Sequence, residues 1–233
     1  MSSNPFEVGE ATAAAALAAP IMRRSTAAQR ARWLSTIADA LDAAAGELLP
    51  LAEAETHLDA SRLAGELART TRQLRFFGEV ILDGGYLEAA VDHARPDATP
   101  PAPDLRRMLV PIGPVAVFSA SNFPFAFSVA GGDTASALAA GAPVVVKGHS
   151  AHPRLSRRTA ELVRHALEAA GAPSGAFGHL TGREAGASLV TDPHIAAVGF
   201  TGSLAGDGRC STSPRAVLIR SRSTASSAPS TRS

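Results

Sequence analysis

From Leu109 onward the sequence alternates short apolar runs with alanine-rich stretches, and this pattern limits the possible folds more than any other feature. The apolar runs predict strands over 115–118, 143–147, 177–180 and 196–200. The stretches between them predict helices over 125–140, 154–170 and 183–191. Strands that alternate with helices are typical of βαβ units on a parallel sheet. We therefore expect an α/β fold with a Rossmann-like parallel sheet and helices on both faces.

The first half of the chain has a different pattern, with helical spacing of apolar residues over 8–79. One predicted helix is capped by Thr26, ends near Gly46 and carries an apolar stripe. The stripe consists of Leu34, Ile37, Ala38 and Leu41. A second helix over 59–77, capped by Asp59, repeats the pattern with Leu63, Leu67 and Leu74. The proline- and aspartate-rich residues 92–105 predict an extended loop. The expected regions are thus a helical region with its loop over 1–108 and an α/β region over 109–206.

Composition and charge narrow the function classes. The chain has 233 residues, of which 45% are hydrophobic, and a net charge of +1, so it offers no electrostatic case for nucleic acid or an anionic membrane. Charges, Pro or Gly interrupt every apolar run before the roughly 20 residues of a membrane span. The alanine-rich start contains Glu7 and Glu10 and lacks a basic leader, which is unlike a signal peptide. One cysteine excludes an internal disulfide, and we expect a cytoplasmic protein.

Residues 207–233 depart from the pattern that precedes them. They contain eight Ser, three Thr and five Arg, with Asp207 as the one acid and 216–219 as the one apolar run. This composition predicts a disordered tail. A more specific hypothesis is a frameshift in the gene after Gly206. When the tail is back-translated with permissible codons and read from the third base of each codon, a different sequence results. That sequence is first amphipathic, then interrupted by prolines, and it contains an ELG segment. Sequencing the gene tests it, because the hypothesis fails if that register has no long open frame.

Asn122 is the first candidate site residue. It lies in Ser121-Asn122-Phe123-Pro124, directly after a predicted strand, and Pro124 restricts the backbone there. Its side-chain amide offers N–H groups that could stabilise an oxyanion. The alternative is an asparagine that satisfies a turn or caps the next helix.

Lys147 is the second candidate and the only lysine in the sequence. It follows Val144-Val145-Val146, an apolar run typical of a central parallel strand. Ligands of open α/β sheets bind beyond the carboxyl ends of the strands, so a long cation there could reach ribose hydroxyls or a phosphate. The alternative is a lysine at a strand end that reaches solvent.

Phe200-Thr201-Gly202-Ser203 closes another predicted strand and should open a helix. Free backbone N–H groups and the Ser203 hydroxyl could receive a pyrophosphate there. Capping by Thr201 or Ser203 explains the motif equally well. His149 and His152 are accompanied by no cluster of cysteines or carboxylates, so we expect no metal site.

These motifs, in this order over residues 8–206, resemble the NAD(P)-dependent aldehyde dehydrogenase family, most specifically over 109–203. Many members carry Trp where this chain has Ser121, and Ser there resembles the ketoglutarate-semialdehyde (2,5-dioxovalerate) and NADP-linked subgroup. The resemblance implies that Asn122 stabilises the oxyanion and that Lys147 holds the adenosine ribose.

The resemblance also bears on the cofactor. The fourth position of the family's lysine motif, normally glutamate, is Ser150 here. A carboxylate would repel a 2′-phosphate, whereas serine would not, which favours NADP over NAD. Arg183 is a candidate partner for that phosphate because a guanidinium binds phosphate bidentately; alternatively it pairs with Glu184 or faces solvent.

Two functions from different classes follow. By family, the chain oxidises a small aldehyde, such as ketoglutarate semialdehyde, to its carboxylate, and its full-length relatives are oligomeric. The family's catalytic cysteine and general-base glutamate lie beyond the resembling segment, and Cys210 is in the tail, too early to be that nucleophile. The alternative is therefore a non-catalytic truncated remnant with at most weak NADP binding.

Overall fold

Four helices occupy the first 83 residues of the computed structural model, which describes residues 2–201 and a strand at 217–220. They are α1 (Pro5–Arg23), α2 (Ala27–Ala43), α3 (Ala45–Thr56) and α4 (Ala60–Asp83). A 3-10 helix (Gly85–Leu87) follows, and then an antiparallel ribbon of β1 (Ala90–Asp92) and β2 (Leu105–Arg107). The ribbon flanks the segment predicted as an extended loop. Among the described residues, no helix is long and apolar enough to cross a membrane.

The predicted caps of α2 and α4 are confirmed. The Thr26 hydroxyl accepts a hydrogen bond from the Gln29 N–H at 3.2 Å, and the Asp59 carboxylate accepts one from the Ser61 N–H at 2.8 Å. The predicted apolar stripe of α2 is buried along its whole length. Helix α2 ends at Ala43, a little earlier than predicted, and Gly46 lies inside α3.

The remaining elements form an α/β sheet. They are β3 (Val115–Phe118), α5 (Gly132–Ala140), β4 (Val144–Lys147), α6 (Pro153–Ala169), β5 (Phe177–Leu180), α7 (Arg183–Thr191), β6 (Ala197–Phe200) and β7 (Val217–Arg220). All five strands of this sheet are parallel and lie in the order β5-β4-β3-β6-β7. The four strands predicted up to residue 200 agree with the structure to within one residue.

Each face of the sheet has its own apolar core. Val115, Val117, Val144 and Val146 pack with α2, α4, α5 and α6. The alternate strand residues, including Ala116, Phe118, Val145 and Val198, pack with α1 and α7. Side chains alternate between the two faces of a strand, so this division follows from the strand pattern itself. Helices therefore cover both faces, as the α/β prediction requires.

Helix α5 is shorter than predicted. It begins at Gly132 rather than at residue 125, and residues 124–131 form turns instead. The Glu66 carboxylate of α4 accepts hydrogen bonds from the N–H groups of Phe125 and Ala126, which holds this segment against α4. A tertiary contact thus replaces the helical hydrogen bonds that the local sequence favours.

Strand β7 pairs with β6 in parallel register, Ala197 opposite Val217. It falls on the one apolar run that the sequence analysis distinguished within the tail. The other residues of the proposed tail, including Cys210, lie outside the described residues, as do Gly202 and Ser203 of the fourth motif.

Candidate functional site

The candidate residues gather at the carboxyl edge of the parallel sheet. Phe118, at the end of β3, is level with Lys147 on β4 and with Phe200 on β6. Asn122 follows β3, and Thr201 follows β6 directly. The strand order reverses between β3 and β6, and open α/β sheets bind ligands at such a switch point. The topology therefore brings these residues to the edge at which open α/β sheets bind ligands.

Lys147 is half-buried on the face of the sheet that α1 and α7 cover. Its Cε lies 3.6 Å from the point that a Cβ on Gly186 of α7 would occupy. Its Nζ lies 5.9 Å from the centre of the Phe118 ring. The lysine stem therefore crosses α7 where that helix has no side chain.

The turn after β4 carries Ser150, which is exposed. The Gly148 N–H donates to the Leu180 carbonyl at 2.8 Å, which extends the β4–β5 pairing into the turn. The His149 ring lies 5.7 Å from the ring of His152. Burial, followed by the positive charges of Lys147 and His152, lowers the pKa of His149.

Arg183 is exposed at the first position of α7. It lies three residues before Gly186, and residues three apart share one face of a helix. Because the Lys147 stem passes α7 at Gly186, Lys147 lies beside the same short helix that carries Arg183. Gly182, at the N-cap, has a φ of 99°, a left-handed conformation that favours glycine.

Asn122 is exposed in the loop between β3 and α5. The Ser119 N–H donates to the Lys147 carbonyl at 3.1 Å, so the loop starts from a point fixed to β4. The Asn122 carbonyl accepts a hydrogen bond from Arg62 Nη2 at 2.7 Å. Helix α4 covers the sheet face opposite to α7, so Asn122 and Lys147 share the carboxyl edge but approach it from different faces.

Thr201 is half-buried and forms a hydrogen bond with the Asp133 carboxyl group near the start of α5. Burial raises the pKa of Asp133, and the hydrogen bond with Thr201 opposes that rise. The Thr201 side chain thus connects β6 to α5.

A cavity of about 440 Å³ lies away from this edge. Its lining includes Ala11 of α1, Arg164 of α6 and the turn that leads into the amino end of β5. None of the candidate residues that the structure describes lines it, so the carboxyl edge, and not this cavity, is the candidate site.

Sequence reasoning missed three residues of the site region: Arg62, Glu66 and Asp133. Glu66 had a detectable signal, because it lies within the stripe of Leu63, Leu67 and Leu74 and an acid on an apolar face needs a partner. Nothing in the sequence indicated which loop supplies that partner.

The strand order, the helices on both faces and the switch-point edge define a Rossmann-like α/β fold. The match to known families agrees: residues 2–209 match the aldehyde dehydrogenase family. This chain belongs to that family.

The curated relatives cover most of this chain. Alpha-ketoglutaric semialdehyde dehydrogenase 2 of Azospirillum brasilense is 51% identical over 187 residues, which are 79% of this chain and 36% of the relative. Alpha-ketoglutaric semialdehyde dehydrogenase of Acinetobacter baylyi is 45% identical over 201 residues, which are 86% of this chain and 38% of the relative. This chain therefore spans little more than a third of the length of these relatives.

Solved structures agree on the fold. A structure of lactaldehyde dehydrogenase superposes with a TM-score of 0.78 at 25% identity, covering 94% of this chain and 44% of the other. Methylmalonate-semialdehyde dehydrogenase from Oceanimonas doudoroffii gives a TM-score of 0.77 at 24% identity, covering 92% of this chain and 42% of the other.

Proposed function

We propose that this chain supplies the NADP-binding region and the oxyanion donor of an enzyme that oxidises a semialdehyde acid to its dicarboxylate. The observation that carries the proposal is the placement of Lys147, half-buried against Gly186 at the carboxyl edge and level with Phe118 and Phe200. The identity to two alpha-ketoglutaric semialdehyde dehydrogenases supports this substrate class. We also propose that the chain has three regions: a helical region with a loop over 1–108, an NAD(P)-binding α/β region over 109–206, and a Ser- and Arg-rich tail over 207–233.

The described residues fit a dinucleotide. A Cβ on Gly186 would approach Phe118 Cε1 to 3.2 Å, so glycine leaves room there for the Phe118 ring and the lysine stem. In this proposal Lys147 holds the adenosine ribose, Ser150 tolerates a 2′-phosphate and the exposed guanidinium of Arg183 pairs with it. The backbone of Thr201, Gly202 and Ser203, which follow β6 in the sequence, receives the pyrophosphate.

Oxidation of an aldehyde to a carboxylate needs a hydride acceptor, and NAD(P)+ supplies that chemistry when bound. In this proposal the role of the chain is to hold the cofactor and to stabilise the negative charge that develops on the aldehyde oxygen. The side-chain amide of Asn122 donates to the oxyanion that forms when a nucleophile adds to the aldehyde carbon. The lone Cys210 is not assigned as that nucleophile, because the family's cysteine lies farther along the chain.

We propose further that this polypeptide alone binds NADP+ weakly and does not turn over aldehyde. Loss of a nucleophile or base reduces turnover by orders of magnitude. A cluster of exposed apolar side chains supports this proposal, because in a longer relative such a surface would be covered by additional protein. The cluster consists of Met108, Leu109, Val110 and Ile112. The chain's single cysteine is in keeping with a cytoplasmic protein.

Thermal unfolding of the purified chain with NADP+ and with NAD+ tests the cofactor proposal, together with NADPH absorbance in the presence of ketoglutarate semialdehyde. The expected result is a stabilisation that is larger with NADP+, and no NADPH formation. Ser150→Glu should weaken NADP+ binding about tenfold relative to NAD+, because its carboxylate would repel the 2′-phosphate. Ser174→Glu, exposed at the opposite edge of the sheet, is the matched control. Equal shifts with both cofactors would contradict the NADP preference, and turnover would contradict the proposed lack of activity.

A further inference from the structure

Helix α4 carries a carboxylate that is buried against the Asn122 loop. Glu66 is 6% exposed, and its Oε1 accepts hydrogen bonds from the Phe125 N–H at 2.8 Å and from the Ala126 N–H at 2.9 Å. These two residues follow Pro124 directly. One carboxylate oxygen therefore fixes the backbone on the carboxyl side of Asn122-Phe123-Pro124.

Arg62, one helical turn before Glu66, fixes the amino side of the same segment. Its Nη2 donates to the Asn122 carbonyl at 2.7 Å, and its guanidinium lies 5.2 Å from the centre of the Phe123 ring. Residues four apart lie on one face of a helix, so Arg62 and Glu66 present two charged groups to one loop. Both contacts hold the backbone that directly follows the Asn122 Cα, from which the Asn122 side chain extends.

Burial of the Glu66 carboxylate at this position costs free energy. It lies in a stripe of buried leucines, where an apolar side chain would pack without loss of hydration. Its second oxygen, Oε2, is buried and has no hydrogen-bond partner among the described residues. Both hydrogen bonds that the Glu66 carboxylate accepts from the described residues therefore come from the loop, and the effect of the carboxylate is to hold that backbone.

We propose that Glu66 and Arg62 are positioning residues for Asn122, setting the direction in which its side-chain amide donates. The inference rests on the proposed role of Asn122 as the oxyanion donor. An oxyanion donor is effective only when it is held in place before the charge develops, because reorientation during the reaction has a free-energy cost. An exposed asparagine on an unsupported loop would not meet this condition.

Nuclear magnetic resonance of the purified chain tests the proposal without turnover. The observables are hydrogen exchange at the Phe125 and Ala126 amides and the resonances of the Asn122 side-chain NH2. Glu66→Ala should accelerate exchange at these two amides at least about tenfold and shift the Asn122 NH2 resonances, with little change in α2 and α6. Glu66→Gln keeps an acceptor oxygen and should restore both readouts. Glu79→Ala, exposed on the same helix, is the matched control and should change neither.

Arg62→Ala removes a surface side chain and provides a second variant that should fold. It should shift the same Asn122 NH2 resonances. Unchanged Asn122 resonances in both variants would overturn the proposal, and so would a uniform rise in exchange that Glu66→Gln does not rescue. NADP+ binding by the unaltered chain is measured separately: its absence would count against the proposed function and leave the loop result standing.

Discussion

Phe118 and Lys147 lie side by side at the ends of neighbouring parallel strands, with Nζ 5.9 Å from the centre of the aromatic ring. The Phe200 ring lies 6.0 Å from that of Phe118 on the other side. A cation near an aromatic face is attracted by the ring quadrupole, which favours this placement of the ammonium group. Lys147, Phe118 and Phe200 therefore lie in a row along the carboxyl edge of the sheet, at the switch point where open α/β sheets bind ligands.

Glu55 of α3 caps helix α6, whose own N-cap residue, His152, makes no capping hydrogen bond with its side chain. Its two carboxylate oxygens accept the Arg154 N–H at 3.0 Å and the Leu155 N–H at 2.9 Å. Glu55→Ala should lower the free energy of unfolding by about 1 kcal/mol, as expected for a lost cap at a helix N-terminus. Urea unfolding measures this. Glu53→Ala, exposed on the same helix, should change stability by less than about 0.5 kcal/mol; equal effects of the two variants would refute the cap.

Gly131 and Gly65 should respond in opposite ways to alanine. A Cβ on Gly131 would collide with the backbone of Ala126, lying 2.7 Å from its carbonyl carbon and 2.9 Å from the Ser128 nitrogen. Gly131→Ala should therefore destabilise the fold by about 2 kcal/mol or more. Gly65, inside α4, has no atom within 4 Å of the position that a methyl group would take, and Gly65→Ala should stabilise by up to about 1 kcal/mol. Midpoints of thermal unfolding that move in the same direction would contradict the packing of this loop.

His179 should make stability depend on pH. Burial, followed by the charges of Arg164 and Arg157, lowers its pKa from 6.5 to about 4. As the pH falls below 6.5, the unfolded chain binds a proton that the folded chain does not bind until about pH 4. The free energy of unfolding should therefore decrease across this window, by up to about 3 kcal/mol from this residue.

Urea unfolding near pH 7 and near pH 4.5 checks this dependence. His179→Gln should remove most of the loss that this residue causes, whereas the exposed His93→Gln should keep it. A wild type and a His179→Gln variant that lose the same stability on acidification would show that His179 does not cause the effect.

Much of the fold was predictable from local signals. Strands β3 to β6 follow from apolar runs bounded by Pro and Gly, and the caps Thr26 and Asp59 follow from their side-chain chemistry. These features depend on neighbours within a few residues. The same holds for the placement of Lys147, because a parallel strand that ends in a lysine brings it to the carboxyl edge.

The Asn122 loop could not be predicted in this way. Its alanine and phenylalanine residues favour continuing α5 back to residue 125, and the helix instead starts at Gly132. The competing hydrogen bonds come from Glu66, about 60 residues earlier in the sequence. Likewise, the bond between Thr201 and Asp133 joins residues that no local pattern relates. Long-range polar contacts decided these details, and periodicity does not encode them.

Lys147 is the residue on which the proposed dinucleotide site at the carboxyl edge of the sheet depends. A calorimetric titration of NADP+ into the unaltered chain and into Lys147→Ala tests this role, with Arg32→Ala, exposed on α2, as the control. We expect Lys147→Ala to weaken binding about ten- to a hundredfold, since a charge-assisted hydrogen bond contributes about 1.5–3 kcal/mol. Arg32→Ala should bind as the unaltered chain does. Equal affinities of the unaltered chain and Lys147→Ala would contradict the proposed role of this lysine.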